Sequence, residues 1–133
     1  GDILCLRTGF DRLLMSHGRA PPEGVAEQFC AGLDGSDQEL LNWIDKSGIA
    51  AIAADTYAVE FLPSKSKPSG RGTHVPLHEH CLFKLGIPLG EMFLMSDLAD
   101  WLGNNGRSRF LMTAPPLRLP GAVGSPVTPV ATV

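Results

Sequence analysis

The chain has 133 residues, 44% hydrophobic and 19% charged, with a formal net charge of −3 at pH 7; this is the size and make-up of one globular domain. Its 11 Lys and Arg are scattered, which argues against nucleic acid as a partner, because phosphate recognition depends on clustered basic side chains. There is no run of about 18 apolar residues and no basic-then-apolar start, so neither a membrane span nor an export signal is expected, and three widely spaced cysteines (Cys5, Cys30, Cys81) without a CxxC pair fit reduced thiols in a cytoplasm.

The chain opens without Met, on DILCLRT, where Ile3 to Leu6 form an apolar run closed by Gly9. We expect a buried strand at the very start, as in a piece of something longer. From there to Gly35 the prolines Pro21 and Pro22 and repeated glycines predict loop, apart from a short helix at FDRLLMS. His17, alone in that loop, reads as a solvated surface group.

Ser36, three residues before Glu39, has capping-box spacing, and Leu40, Leu41 and Ile44 would face the core of the helix that follows. Gly48 should stop it. The run IAAIAA, residues 49–54, is apolar without alternation, as in a parallel strand covered on both faces. Strand, helix and strand make a right-handed crossover unit, whose ligands gather at the carboxyl ends of the strands. Asp55 stands at that end and Glu60 a little further on. Either could face a site; the alternative for both is a carboxylate that caps the following turn or faces water.

PSKSKPSGRG, residues 63–72, is expected to be a long mobile loop bordering a site. After it come His74, His78 and His80, and then Glu91. Imidazole and carboxylate are the ligand set of Zn2+ or Mn2+. The spacing H-x3-H-x-H would put the first pair on one helical face, but Pro76 opposes a continuous helix through His74. SDLADWLG predicts a helix capped by Ser96, with Leu98, Trp101 and Leu102 inward and Gly103 at its end. RFLMTA, residues 109–114, reads as a strand, and the proline-rich tail ends in a Val-rich edge strand.

PLHEHCLFKLGIPLGE followed by RFLMTAPPLRLPGAVGSPVTPVA resembles the C-terminal half of the metal-dependent cyclase family, which includes bacterial kynurenine formamidases and isatin hydrolases. GDILCLRTGF resembles that family's GDI-strand-RTG segment, and IAAIAADTYAVE its strand end with two acidic positions, Asp55 and Glu60. The resemblance spans essentially the whole chain. It implies an α/β, swivelling β/β/α fold, incomplete at its N-terminus and filling residues 1–133 as one domain. It also implies a hydrolase of C–N bonds in linear or cyclic amides, such as N-formylkynurenine in tryptophan breakdown.

In the family a His and a Glu about twelve residues apart help hold the metal. Glu91 fits the Glu; His78, thirteen residues before it, is the first choice for the His, and His80, eleven before it, the second. Asp55 would lie near the substrate as the catalytic carboxylate. The family's H-x-G-T-H-x-D signature has no copy here: RGTHVP carries Pro76 at the aspartate position and Gly70 at the first histidine position. Two ligands hold a metal poorly, so the chain alone is expected to be weakly active or inactive. Relatives of this fold form homodimers or larger homo-oligomers, and an uncovered sheet edge favours self-association. Two rival readings stand beside this one: a truncated, non-catalytic family member serving as a binding or assembly module, and a self-contained zinc site made of His74, His78 and His80.

Overall fold

The computed structural model describes residues 1–18, 20–62, 64 and 73–133; the loop expected over residues 63–72 lies outside them apart from Ser64. Two compact units divide the chain, Gly1–Ser96 and Asp97–Val133.

In the first unit, β1 (Ile3–Leu6) pairs in parallel with β2 (Ala51–Ala54), and β2 pairs in parallel with β3 (Leu89–Gly90). The sheet order is β1-β2-β3, so β2 is central. Ile52, Ala53 and Ala54 are buried, the outcome expected of an apolar run without alternation. The chain is thus mixed α/β with a parallel sheet, as its sequence predicts.

Between β1 and β2 lie α1 (Phe10–Ser16), α2 (Val25–Phe29) and α3 (Gln38–Ser47). α1 and α3 match the expected helices, whereas α2, five residues inside a Gly- and Pro-rich stretch, is too short to show a helical period. Gly48 ends α3 in the left-handed region at φ 68°, where glycine carries no Cβ penalty. The start of α3 differs from expectation. Asp37, not Ser36, is the N-cap, its carboxylate accepting from Glu39 N at 2.8 Å. Ser36 is drawn elsewhere: its amide donates to Asp34 Oδ1 at 3.0 Å and its hydroxyl meets that of Ser64 at 3.0 Å.

α4 (Pro76–His78) runs directly into a π-helical segment, Glu79–Leu85, which Gly86 closes at φ 68°. Pro76 occupies the first turn, where its missing N–H costs nothing. Ile44 of α3, Ile52 and Ala54 of β2, Val59, Leu77 and Cys81 form the core. α3 and the 76–85 helical segment therefore pack through the same side chains as the central strand. Burial pushes the Cys81 thiol up to about 11, with the charges of Glu60 and Asp45 adding to it.

α5 (Ser96–Asn104) starts on the last residue of the first unit, and the rest of it, in the second unit, is followed by an antiparallel pair, β4 (Leu111–Thr113) with β5 (Val130–Thr132). Both strands were expected. Trp101 was expected to face inward; it is instead 38% exposed, and the Arg107 guanidinium lies 5.5 Å from its ring centre, a cation–π contact that needs an accessible ring face. No helix among the described residues is long and apolar enough to cross a membrane.

Candidate functional site

Two buried carboxylates follow β2. Asp55, fully buried, accepts from Thr8 N at 2.9 Å, from Thr8 Oγ1 at 2.8 Å and from Gly9 N at 2.7 Å. It ties the end of β2 to the turn after β1, and its two oxygens are committed to that turn.

Glu60 is placed differently. Its side chain is 0% exposed and accepts from Leu77 N at 3.1 Å and His78 N at 2.9 Å, which are free amides in the first turn of α4. It thus caps a helix from a distant part of the chain rather than facing water. The same carboxylate meets His78 Nδ1 at 2.6 Å. Gly35 makes the approach feasible: a Cβ there would fall 2.3 Å from Glu60 Oε2 and 2.7 Å from Leu77 N.

The other ring nitrogen, His78 Nε2, lies 3.1 Å from Glu91 Oε1. Glu60, His78 and Glu91 therefore form a carboxylate–imidazole–carboxylate line. It runs from a dry end to a wet one, the side chains being 0%, 23% and 37% exposed in that order. Glu60 can only accept, so Nδ1 carries the proton of that bond. Nε2 then faces a second acceptor, and a bare lone pair cannot bridge to Glu91. A proton or a cation can.

The described non-glycine residues with positive φ are Val59 at 56° and Met92 at 58°. One precedes Glu60 and the other follows Glu91. A β-branched residue in this region is an outlier costing about 1 to 3 kcal/mol, and such strain gathers at functional sites. Around Val59 the chain turns within three residues, Glu60 N donating to Ala58 O. Met92 N donates to Thr56 O at 2.9 Å and Phe93 N to Ala54 O at 3.0 Å, which brings the Glu91 segment alongside the end of β2. No signal in the sequence marks these two positions.

The remaining candidates separate from this line. His80 Nε2 meets Asp45 Oδ1 of α3 at 2.7 Å, and His74 is exposed. The three histidines do not converge: among the described residues no group of three or more His, Cys, Asp or Glu is arranged to hold a metal ion. Of the residues singled out from the sequence, the fold brings His78, Glu91 and Glu60 together, and it sends Asp55 and His80 to other partners. His78 Nε2 and Glu91 Oε1 bring one imidazole nitrogen and one carboxylate oxygen together, donor types that divalent cations take, with the Glu60 carboxylate behind Nδ1.

Asp11, 5% exposed, closes the unit on another side. It accepts from Met95 N at 2.8 Å, Ser96 N at 2.7 Å and Ser96 Oγ at 2.6 Å. Burial alone would raise its pKa, but the bonds from Ser96, Met95 and Arg12 outweigh it and hold the carboxyl below the usual range.

No protein-family profile matches the chain, and no curated protein does. Among solved structures, it is similar to one described as the crystal structure of a novel cyclase, with 34% identity and a TM-score of 0.75 over the full length of this chain. The chain spans 40% of the length of that cyclase.

Proposed function

We propose that the chain is the metal-ligating part of a cyclase-family amidohydrolase of the swivelling β/β/α type, acting on C–N bonds of linear or cyclic amides. N-formylkynurenine, the substrate implied by the resemblance to bacterial kynurenine formamidases, is the first compound to assay. The observation that carries the reading is the Glu60–His78–Glu91 line, and the likeness to a solved cyclase supports it.

In this reading His78 Nε2 and Glu91 are the ligands contributed here, while Glu60 positions the imidazole. A Zn2+ or Mn2+ ion held there would supply Lewis-acid chemistry, lowering the pKa of a water and polarising the amide carbonyl. The chain's own residues do the preparatory work. Glu60 holds Nδ1–H and so fixes which nitrogen is presented, and the helix start at Pro76 fixes where. Glu91, the more exposed end, is the side from which a substrate arrives. Asp55, committed to Thr8 and Gly9, shapes the neighbouring turn without touching substrate. His80 pairs with Asp45 and is no ligand.

Two ligands fall short of the three protein ligands usual for catalytic zinc, so the remainder must come from beyond the described residues of one chain. The test is calorimetric titration of the chain with Zn2+ and Mn2+. We expect weak binding that His78→Ala and Glu91→Ala each abolish and that His80→Ala leaves unchanged, together with hydrolysis of N-formylkynurenine near background. Binding lost in His80→Ala but kept in His78→Ala would overturn the ligand assignment. A high rate with an ordinary metal requirement would overturn the ligand count.

A further inference from the structure

A cleft of about 210 Å3 opens at the carboxyl ends of β1 and β2, where ligands of parallel sheets commonly bind. Leu6, Leu33, Ala54 and Val59 give it apolar walls, and none of Glu60, His78 or Glu91 lines it. Gly32 lets the wall form: a Cβ there would fall 2.4 Å from the Glu60 carbonyl carbon, so only glycine lets residues 31–33 run against the 59–61 backbone. Leu33 N donates to Val59 O at 2.9 Å and Phe61 N to Leu33 O at 2.8 Å, so the wall is held by backbone bonds.

Two polar groups on the lining lack the partners their chemistry asks for. Thr56 is 1% exposed, and its hydroxyl is a buried side-chain polar atom without a hydrogen-bond partner. A buried hydroxyl left unpaired costs free energy that a ligand can recover. Arg7 stands at the mouth. The contact of its guanidinium is Ser96 Oγ at 3.5 Å, and no carboxylate among the described residues pairs with it. The donors of a guanidinium match a carboxylate two at a time. The Asp55 carboxylate is not part of the lining and is already held by Thr8 and Gly9.

We infer that this cleft is a binding site for a small monocarboxylate with a compact apolar body. The carboxylate lies on Arg7 and accepts from the Thr56 hydroxyl, and the body fills the space between Leu6, Leu33 and Val59. An apolar cavity of about 150 Å3 is enough for a benzene ring, so the volume suits a ring or short branched chain bearing one carboxylate. The site shares no residue with the His78–Glu91 pair and does not depend on metal.

Benzoate, titrated into the 15N-labelled chain with EDTA present, tests the inference. The expected result is saturable shifts at the amides of Gly32, Leu33 and Thr56, with benzyl alcohol, of similar size but neutral, binding at least about tenfold more weakly. Arg7→Gln changes an exposed side chain, and Thr56→Val keeps the shape while removing the orphaned hydroxyl, so both should fold. Each is expected to weaken benzoate by about tenfold with the rest of the spectrum unchanged. Three outcomes would overturn the inference: no saturable shift, shifts confined to the His78 and Glu91 region, or equal binding of benzyl alcohol. Metal binding that fails while benzoate still binds would count against the proposed hydrolase and leave the cleft standing.

Discussion

Asp55 and Glu60 are both buried, five residues apart on the segment that follows β2, yet they do different things. Asp55 accepts from two amides and one hydroxyl, all belonging to the turn after β1. Glu60 also accepts two amides, at the start of α4, but spends one oxygen on an imidazole whose far nitrogen reaches a half-exposed carboxylate. A buried carboxylate whose partners are all structural is a fastener; one with a titratable side chain among its partners connects the interior to solvent. The backbone agrees: the strained residues flank Glu60 and Glu91, and none flanks Asp55.

The sharpest way to break the comparison is Gly35→Ala. The added Cβ meets Glu60 Oε2 and Leu77 N well inside contact distance, so the carboxylate must move and both capping bonds go with it. A loss of about 3 kcal/mol in urea denaturation is expected, combining overpacking with unsatisfied amides. A stability within about 0.5 kcal/mol of the parent, the range of ordinary surface changes, would mean the Glu60 cap is not held as described.

Asp55→Asn comes next, at about 2 kcal/mol, because an amide nitrogen must then face one of the Thr8 or Gly9 donors. Its metal affinity should equal the parent's. Glu60→Gln adds a second effect: Leu77 N and His78 N donate to different oxygens of Glu60, so an amide nitrogen must again face a donor and stability falls by about 2 kcal/mol, while Zn2+ affinity also drops by about 10- to 100-fold through loss of the carboxylate behind Nδ1. Equal effects of the two substitutions on metal affinity would erase the distinction between fastener and connection.

Much of the frame was legible in the sequence because it follows local rules. The unbroken apolar run at residues 49–54 announced the central strand, and Leu40, Leu41 and Ile44 with Gly48 announced α3 and its end. What was missed was either too short or too distant. β3 has two residues and α2 five, below the length at which a period can be read. The Asp37 cap competes with Ser36 one residue away, and both types are good caps. The Glu60–His78 bond joins residues 18 apart, and Gly35 is one glycine among many until the carboxylate that needs its missing Cβ is in place. The choice between His78 and His80 did have a signal. Once Pro76 is taken as the first helical residue, positions two apart point to different sides, so both could not sit with Glu91. Val59 and Met92 had none, since neither residue type favours a positive φ.

A third buried carboxylate, Asp11, sharpens the comparison at the smallest scale. Like Asp55 it accepts from amides and a hydroxyl, at Met95 and Ser96, and no titratable side chain among the described residues is shown bonded to it. Burial opposes its ionisation, but those bonds prevail and its pKa lies below the ordinary value. A depressed carboxylate pKa means the folded state releases the proton more readily than the unfolded one. Its stabilising contribution is therefore complete above the unfolded value of about pH 4 and is lost as pH falls through the lower folded value. Asp11→Asn removes that term. The variant should be less stable than the parent by about 1 kcal/mol at pH 7, and the gap should close as both are titrated toward pH 2. Denaturant midpoints measured across that range decide the matter: a gap that stays constant to the acid end would show that Asp11 acts by shape alone, and one that closes marks it as a fastener whose hold depends on its charge.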